Sequence, residues 1–363
     1  MTMNKPCVMG AGPMALHPEV AAALATPTLH PLNPAFHRLY METTERLRAV
    51  FRTKSDVLVA PCSGTGINEA VVANMFSAGE KIIVCNGGHY GGRFRDTCVA
   101  YGVDVVNLKF APGTPTTPEA VGEALRDHPD ATAVVIIHIE TSTGTISPLE
   151  EIARVVKGCG REILLIADAV ASMGGALLDT DAWGVDIVTT ASQKALMAAP
   201  GLGIVSINEL GWNRARASRL PKYYFDLTYN RSEVAAGRHA VTPAFNLIAG
   251  LHRALGLLLE EGMDGVYARL AACRDHLLLR LPEIGFRPMA QAGCESPTLT
   301  AAFAPEGVSC LDMVRRLMIE QNVTICTAFH SALDRGIRIG HMGYTDIGDV
   351  HRVLDALTTF LDR

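Results

Sequence analysis

Residues 163–207 of this 363-residue chain read ILLIADAVASMGGALLDTDAWGVDIVTTASQKALMAAPGLGIVSI. The opening run ILLIA is short, apolar and continuous rather than alternating, which predicts a buried parallel strand that ends at a single carboxylate, Asp168. Ligands of open α/β sheets bind beyond the carboxyl ends of the strands, so we expect Asp168 to point into that crevice. About one βαβ length later, Lys194 stands within the small, weakly charged run TTASQKALMAAPG.

These two side chains suit one cofactor. A lysine that captures a carbonyl must lose its proton, and a dry site or a cationic neighbour lowers its pKa from about 10.4. Pyridoxal phosphate (PLP) needs such a lysine for its aldehyde and an acid beside its pyridine nitrogen, which keeps the ring protonated and electron-withdrawing. An Asp at a strand end is more often a helix cap and a single Lys is usually solvated, so the rest of the chain must support the PLP hypothesis.

Length and composition limit the classes of protein to consider. With 48% hydrophobic and 19% charged residues, the chain can build one large α/β domain and a smaller one. A net charge of −5 without a basic stripe argues against nucleic acid as a partner. The nine cysteines include no C-x-x-C, the twelve histidines no H-E-x-x-H metal spacing, and no apolar run reaches the roughly 18 residues of a membrane span. The N-terminus also lacks the features of a secretion signal, so we expect a soluble, cytoplasmic protein without a metal.

Buried strands followed by polar turns and capped helices recur along the first two thirds of the chain. The strand VLVA (57–60) leads through SGTG (63–66) into a helical pattern, and a helix that begins with small residues can hold a phosphate, although a plain βα turn has the same pattern. A second strand begins near residue 82 and ends in a glycine-rich turn that carries His89 and Tyr90. Tyr90 could stack on a flat ring or be a simple loop aromatic.

The same alternation continues to the middle of the chain. Thr117 predicts the cap of a helix that runs to about His128, a strand follows at 133–138, and Ser147 with Glu150 forms the pattern of a capping box. Together these elements predict a doubly wound, mostly parallel α/β sheet.

The last third of the chain predicts a separate α+β unit. A long helix from about Phe245 to Glu261 carries an apolar face and can bridge two domains, and strands at 298–303 and 337–340 alternate with helices after it. Residues 1–20 are too broken by glycine and proline for a helix and predict an extended arm. The predicted division is an arm at 1–20, a large PLP-binding domain at 21–253 and a small C-terminal domain at 254–363.

Nine segments together resemble the class V (fold type I) PLP aminotransferases, most closely the alanine/serine–glyoxylate aminotransferase group. The resemblance covers nearly the whole chain. The segments are AGPMALHPEV (11–20), SGTGINEA (63–70), NGGHYGGR (86–93), ETSTG (140–144), DAVASMGG (168–175), SQKAL (192–196), APG (199–201), YYFDL (223–227) and RIGHMG (338–343).

The resemblance assigns a role to each matching position. It implies that Lys194 is the Schiff-base lysine, that Asp168 pairs with the pyridinium nitrogen, and that Tyr90 and Val170 cover the two faces of the ring. The remaining implied contacts within the chain are the phosphate ligands Ser63, Gly64, Thr65 and Gln193, and Thr141 at the phenolic oxygen.

The resemblance also implies a homodimer with composite sites. In the family, the segment that matches GRHAVT (237–242) crosses the dimer interface, so Thr242 and His239 would reach the phosphate in the partner subunit. Arg338 matches the arginine that binds the substrate carboxylate, a task that suits a bidentate guanidinium. The implied side-chain pocket is built from Gly12, residues 30–33, Tyr224 and residues 327–332.

The expected function is transfer of an amino group from a small, alanine- or serine-like amino acid to glyoxylate or pyruvate by a ping-pong mechanism, with Lys194 as the acid/base. Pyridoxamine–pyruvate and 2-aminoethylphosphonate–pyruvate transaminases are similar and stay open as alternatives. Cysteine desulfurases of the same fold carry a nucleophilic cysteine upstream of their arginine, which makes Cys326 a candidate for that chemistry. A non-catalytic PLP carrier would keep the phosphate site but would not need a carboxylate-binding arginine.

Overall fold

The computed structural model describes residues 7–362. Their strands are β1 (Cys7–Val8), β2 (Asp56–Pro61), β3 (Lys81–Asn86), β4 (Asp104–Lys109), β5 (Ala133–Ile137), β6 (Ile139–Glu140), β7 (Thr145–Ile146), β8 (Leu164–Asp168), β9 (Ile187–Ala191), β10 (Leu202–Ile207), β11 (Arg287–Pro288), β12 (Leu299–Phe303), β13 (Val323–Thr324), β14 (Cys326–Thr327) and β15 (Gly336–Gly340). Their α-helices are α1 (Pro18–Leu24), α2 (Pro34–Phe51), α3 (Gly64–Met75), α4 (His89–Ala100), α5 (Pro118–Asp127), α6 (Leu149–Lys157), α7 (Glu209–Ala217), α8 (Leu227–Ala235), α9 (Phe245–Glu261), α10 (Met263–Arg280), α11 (Cys310–Gln321) and α12 (Ile347–Leu361). Two short 3₁₀ helices lie at Pro282–Ile284 and His330–Ala332.

A seven-stranded sheet forms the centre of the larger part. Its order is β2-β10-β9-β8-β5-β3-β4, and every neighbouring pair is parallel except the two that involve β10. Strand β8 lies in the middle and is buried along its whole length. The predicted doubly wound, mostly parallel sheet is therefore confirmed.

The apolar run of β8 is continuous because both faces of the sheet are covered. Leu165 and Ala167 pack into a core built with α2, α5, α6 and α9, whereas Leu164 and Ile166 pack on the opposite face against α3, α4 and α7. Fully burying one such leucine or isoleucine stabilises the fold by about 1.5–3 kcal/mol. The packing also fixes the register, which places Asp168 opposite Ile137 at the carboxyl edge of the sheet.

The smaller part is an antiparallel sheet of order β11-β12-β15-β14 that packs with α10, α11 and α12. The start of the described chain also belongs here, because β1 pairs with β13 and the side chains of Cys7 and Met9 enter the same core. The predicted arm thus contributes a buried strand to the C-terminal unit, and its residues 1–6 lie outside the described range.

Three local predictions were wrong. Helix α1 begins at Pro18, inside the segment that was expected to be too broken for a helix, because proline fits the first helical turn. Tyr90 lies in the first turn of α4 rather than in a loop. Ser147 does not cap α6, since its hydroxyl accepts a hydrogen bond from the Thr116 N–H at 3.2 Å and the helix begins after Pro148 without a side-chain cap.

Helix α9 matches its prediction and joins the two parts. It spans Phe245–Glu261, and Ile248, Leu251, Leu255 and Leu258 of its predicted apolar face are all buried in the larger core. The predicted domain boundary after residue 253 therefore falls within a helix whose two halves pack against the same core. Among the described residues, no helix is both long and apolar enough to cross a membrane.

Candidate active site

A cavity of about 240 Å³ opens at the carboxyl edge of the central sheet. Its wall combines the ends of β5 and β8, the first turns of α3 and α4, and residues of the smaller sheet. Eleven of the thirteen predicted site residues line it: Gly12, Ser63, Gly64, Thr65, Tyr90, Thr141, Asp168, Val170, Gln193, Lys194 and Arg338. Segments from seven separate parts of the sequence therefore meet at one cavity.

Lys194 follows β9 and is almost fully buried, with 7% of its surface exposed. Its Nζ donates a hydrogen bond to the Ala11 carbonyl oxygen. Burial, and secondly the positive charge of Arg338, lower the pKa of Lys194 to about 8. The amine is therefore far more often neutral near pH 8 than a solvated lysine, as a carbonyl-capturing group requires.

Gly12 leaves room for the lysine side chain. A Cβ atom at this position would lie 2.8 Å from Lys194 Cδ, and the backbone has φ +99°, a conformation that residues other than glycine rarely adopt. The predicted contribution of Gly12 to this site thus has a steric basis, because any larger residue would displace the lysine.

Asp168 ends β8 and is buried, with two hydrogen bonds to its carboxylate. The Val170 N–H donates to Oδ1 at 2.9 Å, and the side-chain amide of Asn68 donates to Oδ2 at 2.7 Å. Burial raises the pKa of Asp168, and these two donors oppose that shift. Sequence reasoning missed Asn68, although it stands within the quoted motif SGTGINEA.

The start of α3 has the form of a phosphate site. Ser63 caps the helix by accepting a hydrogen bond from the Gly66 N–H at 3.2 Å. At Gly64 a Cβ atom would meet Val170 Cγ2 at 3.0 Å, so glycine keeps the helix start close to that residue. Arg93, which the sequence analysis did not single out, also lines the cavity and donates to the Thr65 hydroxyl at 3.0 Å. A helix N-terminus beside a guanidinium favours an anion.

Two oxygen atoms of the cavity wall test whether PLP fits. Thr141 Oγ1 and Gln193 Oε1 are buried and have no hydrogen-bond partner among the described residues. A buried polar group without a partner costs about 1–3 kcal/mol, so such groups at a cavity wall indicate a polar ligand. Both residues were predicted to contact PLP, and together with the anion site of α3 and the buried Lys194 they form a set that fits this cofactor.

Tyr90 is held at the cavity by the buried carboxylate of Glu140. Glu140 Oε2 accepts from the N–H groups of Tyr90 and Gly91 at 3.0 and 3.2 Å, and its Oε1 accepts from the N–H and hydroxyl of Ser142. A carboxylate at a helix start satisfies N–H groups that have no partner within the helix. Glu140 therefore fixes the first turn of α4, and with it the aromatic ring, which lies 6.0 Å from Lys194 Nζ.

Arg338 enters the cavity from β15 and is 7% exposed. Its Nε donates to the Thr327 carbonyl oxygen at 2.8 Å, and its guanidinium lies 4.1 Å from the centre of the Phe329 ring. The other face of that ring stacks on His89 at 4.2 Å. Arg338 forms no salt bridge with an acidic side chain of the described residues and donates through Nε, so its terminal nitrogen atoms can bind an anion in the cavity.

Cys326 also lines the cavity, one strand away from Arg338. It pairs with Arg338 in the β14–β15 ladder, and its Sγ accepts a hydrogen bond from the Ala11 N–H at 3.4 Å. Cys326 therefore lies in a strand, β14. A thiol fixed in a strand is not on the flexible loop that the desulfurase hypothesis requires.

His239 and Thr242 do not line this cavity. The His239 ring packs on Phe36 and Tyr40 at 5.1 and 5.0 Å between ring centres, and burial lowers its pKa. Thr242 is exposed. Their predicted contacts concern a partner subunit, so they stay predictions.

Comparison with known proteins extends these observations. The family model described as Aminotransferase class-V matches residues 4–353. The chain is 32% identical to the soluble hydrogenase 42 kDa subunit of Anabaena cylindrica over 95% of this chain and 91% of that protein. It is 30% identical to the serine–glyoxylate aminotransferase of Methylorubrum extorquens over 92% of this chain and 85% of that protein. The crystal structure of an alanine–glyoxylate aminotransferase from Nostoc sp. superposes with a TM-score of 0.94 at 28% identity and covers 100% of this chain and 97% of its own.

Proposed function

Because this chain belongs to the class-V aminotransferase family and is a PLP-dependent transaminase of fold type I, we propose that it moves the amino group of a small amino acid, such as alanine or serine, to glyoxylate or pyruvate. The observation that carries this proposal is the content of one cavity: a buried amine of lowered pKa, a buried carboxylate, and an arginine without an acidic partner among the described residues.

The side chains of the cavity have separate roles in this reaction. When bound, PLP supplies an aldehyde that accepts the donor's amino group and a protonated ring that withdraws electrons from the donor's α-carbon. Lys194 would hold the aldehyde in the resting enzyme, and once released its amine, whose pKa burial lowers, would move the proton of the donor's α-carbon. The Ala11 carbonyl oxygen keeps its Nζ within the cavity.

The remaining residues orient the reactants. Asp168 would hold the proton of the ring nitrogen, and Tyr90 and Val170 would cover the two faces of the ring. Ser63, Gly64 and Thr65 at the start of α3 would hold the phosphate together with Gln193, and Thr141 would donate to the phenolic oxygen. Support comes from the partnerless hydroxyl of Thr141, which can donate to the phenolic oxygen, and from the position of all these residues on the wall of one cavity.

Arg338 binds the α-carboxylate of the donor and of the acceptor. A guanidinium fixed at Nε by Thr327 and stacked on Phe329 has lost most of its freedom before the substrate arrives, so little entropy is lost on binding. Both glyoxylate and pyruvate carry the carboxylate that this arginine requires.

The working unit in this proposal is a homodimer in the cytoplasm. Thr242 is exposed and lies outside the cavity of its own chain, as expected for a residue that reaches the phosphate of a partner. The cysteines of the described residues form no disulfide, which suits a reducing compartment.

The test is a half-reaction without acceptor. Enzyme loaded with PLP is mixed separately with alanine, serine, aspartate, pyridoxamine, aminoethylphosphonate and cysteine, and conversion to pyridoxamine phosphate is followed by absorbance. We expect conversion by alanine or serine and recovery of the original spectrum on adding glyoxylate or pyruvate. Conversion by pyridoxamine or aminoethylphosphonate alone would refute the proposed donors. Release of sulfide from cysteine that Cys326→Ala abolishes would move the protein to the desulfurase class.

The covalent site is tested with Lys194→Ala. Borohydride reduction of the loaded wild-type enzyme, followed by peptide mapping, is expected to label Lys194, and the variant is expected to bind PLP without a covalent link. A label on any other lysine would contradict the assignment.

A further inference from the structure

Asn68 connects strand β8, which carries Asp168, with strand β9, which leads to Lys194. It lies in the second turn of α3, and its side chain reaches both β8 and β9. Its Nδ2 donates to Asp168 Oδ2 at 2.7 Å, and its Oδ1 accepts from the hydroxyl of Thr189 at 2.7 Å. Thr189 is completely buried. The three side chains form a continuous chain of hydrogen bonds from the interior of the sheet to the cavity.

The chemistry of Asp168 and Thr189 fixes which group donates in each of these hydrogen bonds. An ionised carboxylate can only accept hydrogen bonds, so the NH₂ end of Asn68 must face Asp168. The single proton of the Thr189 hydroxyl then points to the amide oxygen and holds the amide in that orientation. Rotating the amide by 180° would place its oxygen against a carboxylate oxygen, where the hydrogen bond is replaced by repulsion.

Asp168 depends on these donors because the positive charge of Lys194 lowers its pKa less than either of them does. The described residues form no salt bridge with Asp168, which is 6% exposed, and burial raises its pKa. Within residues 7–362, only the Val170 N–H and the Asn68 amide donate to it. The backbone donor is present with any side chain at position 170, so Asn68 is the contact that depends on side-chain identity.

We propose that Asn68, oriented by Thr189, is a positioning residue that keeps Asp168 ionised and directed at the ring nitrogen of PLP. This inference rests on the proposed function, since it assumes that Asp168 meets that nitrogen. Asn68 lines the cavity on the same wall as the carboxylate, so it restrains the rotation of Asp168 as well as its charge. Without Asn68, Asp168 would be protonated more often and directed less well at the ring nitrogen.

The experiment compares two ligands on the apoenzyme: PLP itself and its analogue in which carbon replaces the ring nitrogen. Only PLP offers a nitrogen to Asp168, so the ratio of the two dissociation constants reports that contact and not the folding of the site. A single hydrogen bond to a charged group typically shifts a pKa by about one unit, which corresponds to a tenfold change in an equilibrium constant. We therefore expect Asn68→Leu, which keeps the side-chain size, to reduce the preference for PLP about tenfold.

Two threonines of the same strand provide a matched pair. Thr189→Val removes the hydroxyl that orients Asn68 and should reduce the preference in the same direction by a smaller factor. Thr190 is also completely buried, but its hydroxyl donates to the Ala169 carbonyl oxygen at 3.2 Å instead. Thr190→Val should leave the preference unchanged. In the double variant Asn68→Leu/Thr189→Val, the loss should equal that of Asn68→Leu alone, because Thr189 acts only through Asn68.

Several outcomes would overturn the inference. If Asn68→Leu weakens the binding of both ligands equally, the role of Asn68 is only structural. If Thr190→Val reduces the preference for PLP as much as Thr189→Val does, Thr189 does not act through Asn68. Should Asn68→Leu fail to fold, Thr189→Val with its Thr190→Val control decides the question. A wild-type apoenzyme that binds both ligands equally would instead refute the assignment of Asp168, and with it both this inference and that part of the proposed function.

Discussion

Replacing Arg338 with lysine should weaken every carboxylate-bearing substrate by a similar factor. Arg338 is almost fully buried, with 7% of its surface exposed. Its Nε already donates to the Thr327 carbonyl oxygen, so its terminal nitrogens remain for two parallel hydrogen bonds to a carboxylate. Lysine offers one shorter-reaching ammonium and cannot reproduce the pair. For a largely desolvated contact we expect a loss of about 2–4 kcal/mol of transition-state binding, which is roughly 30- to 900-fold in kcat/KM.

The assay measures kcat/KM for alanine and serine with glyoxylate and with pyruvate, together with the absorbance of bound PLP. The absorbance should barely change, because Arg338 does not hold the cofactor in this scheme. Arg335→Lys is the control: it lies three residues away, is exposed, and donates to the Ser331 carbonyl oxygen rather than entering the cavity. The reasoning is refuted if the two variants lose activity equally, or if alanine and serine react equally well with wild type and Arg338→Lys.

Three further predictions concern other parts of the site. The rate at which apoenzyme takes up PLP covalently should rise with pH and level off above about pH 8, because only the neutral amine of Lys194 attacks the aldehyde; a rate that still rises tenfold per unit beyond pH 9 would contradict the lowered pKa. Gly12→Ala should slow the same uptake strongly, since its Cβ would lie 2.8 Å from Lys194 Cδ at a backbone φ of +99°, whereas Gly160→Ala has similar backbone strain but no atoms within 4 Å and should leave uptake unchanged. Mixed dimers of Lys194→Ala and Thr242→Ala chains should regain part of the activity that each variant lacks, and full activity of a sedimenting monomer would count against composite sites.

Local sequence was sufficient wherever one segment contains both the structure and the chemistry. The apolar run before Asp168 indicated a strand covered on both faces, and the weakly charged run around Lys194 indicated a buried amine. Helix α9 was predicted with its correct ends and buried face for the same reason: its periodic pattern lies within one stretch. In each case the sequence pattern that carries the prediction lies within one short stretch.

Predictions from short patterns were wrong where a side chain or backbone group forms its hydrogen bond with a residue far away in the sequence. Ser147 and Glu150 have the spacing of a capping box, yet the Ser147 hydroxyl bonds to a backbone N–H that lies 31 residues earlier in the chain. The glycines around Tyr90 suggested a loop, but the buried carboxylate of Glu140, 50 residues later, supplies the acceptor that starts a helix there. Sequence spacing alone does not reveal such partners.

The sequence by itself therefore determined the doubly wound sheet and most residues of the cavity. The strand patterns are local, and the family resemblance assigned the site residues from short motifs. The tertiary structure alone decided how the cavity is tuned. Asn68 is separated from Asp168 by 100 positions and from Thr189 by 121, and Phe329 reaches His89 across the two parts of the fold. The orientation of an amide and the stacking of a ring depend on which groups packing brings within 3–5 Å, and that proximity exists only in the folded chain.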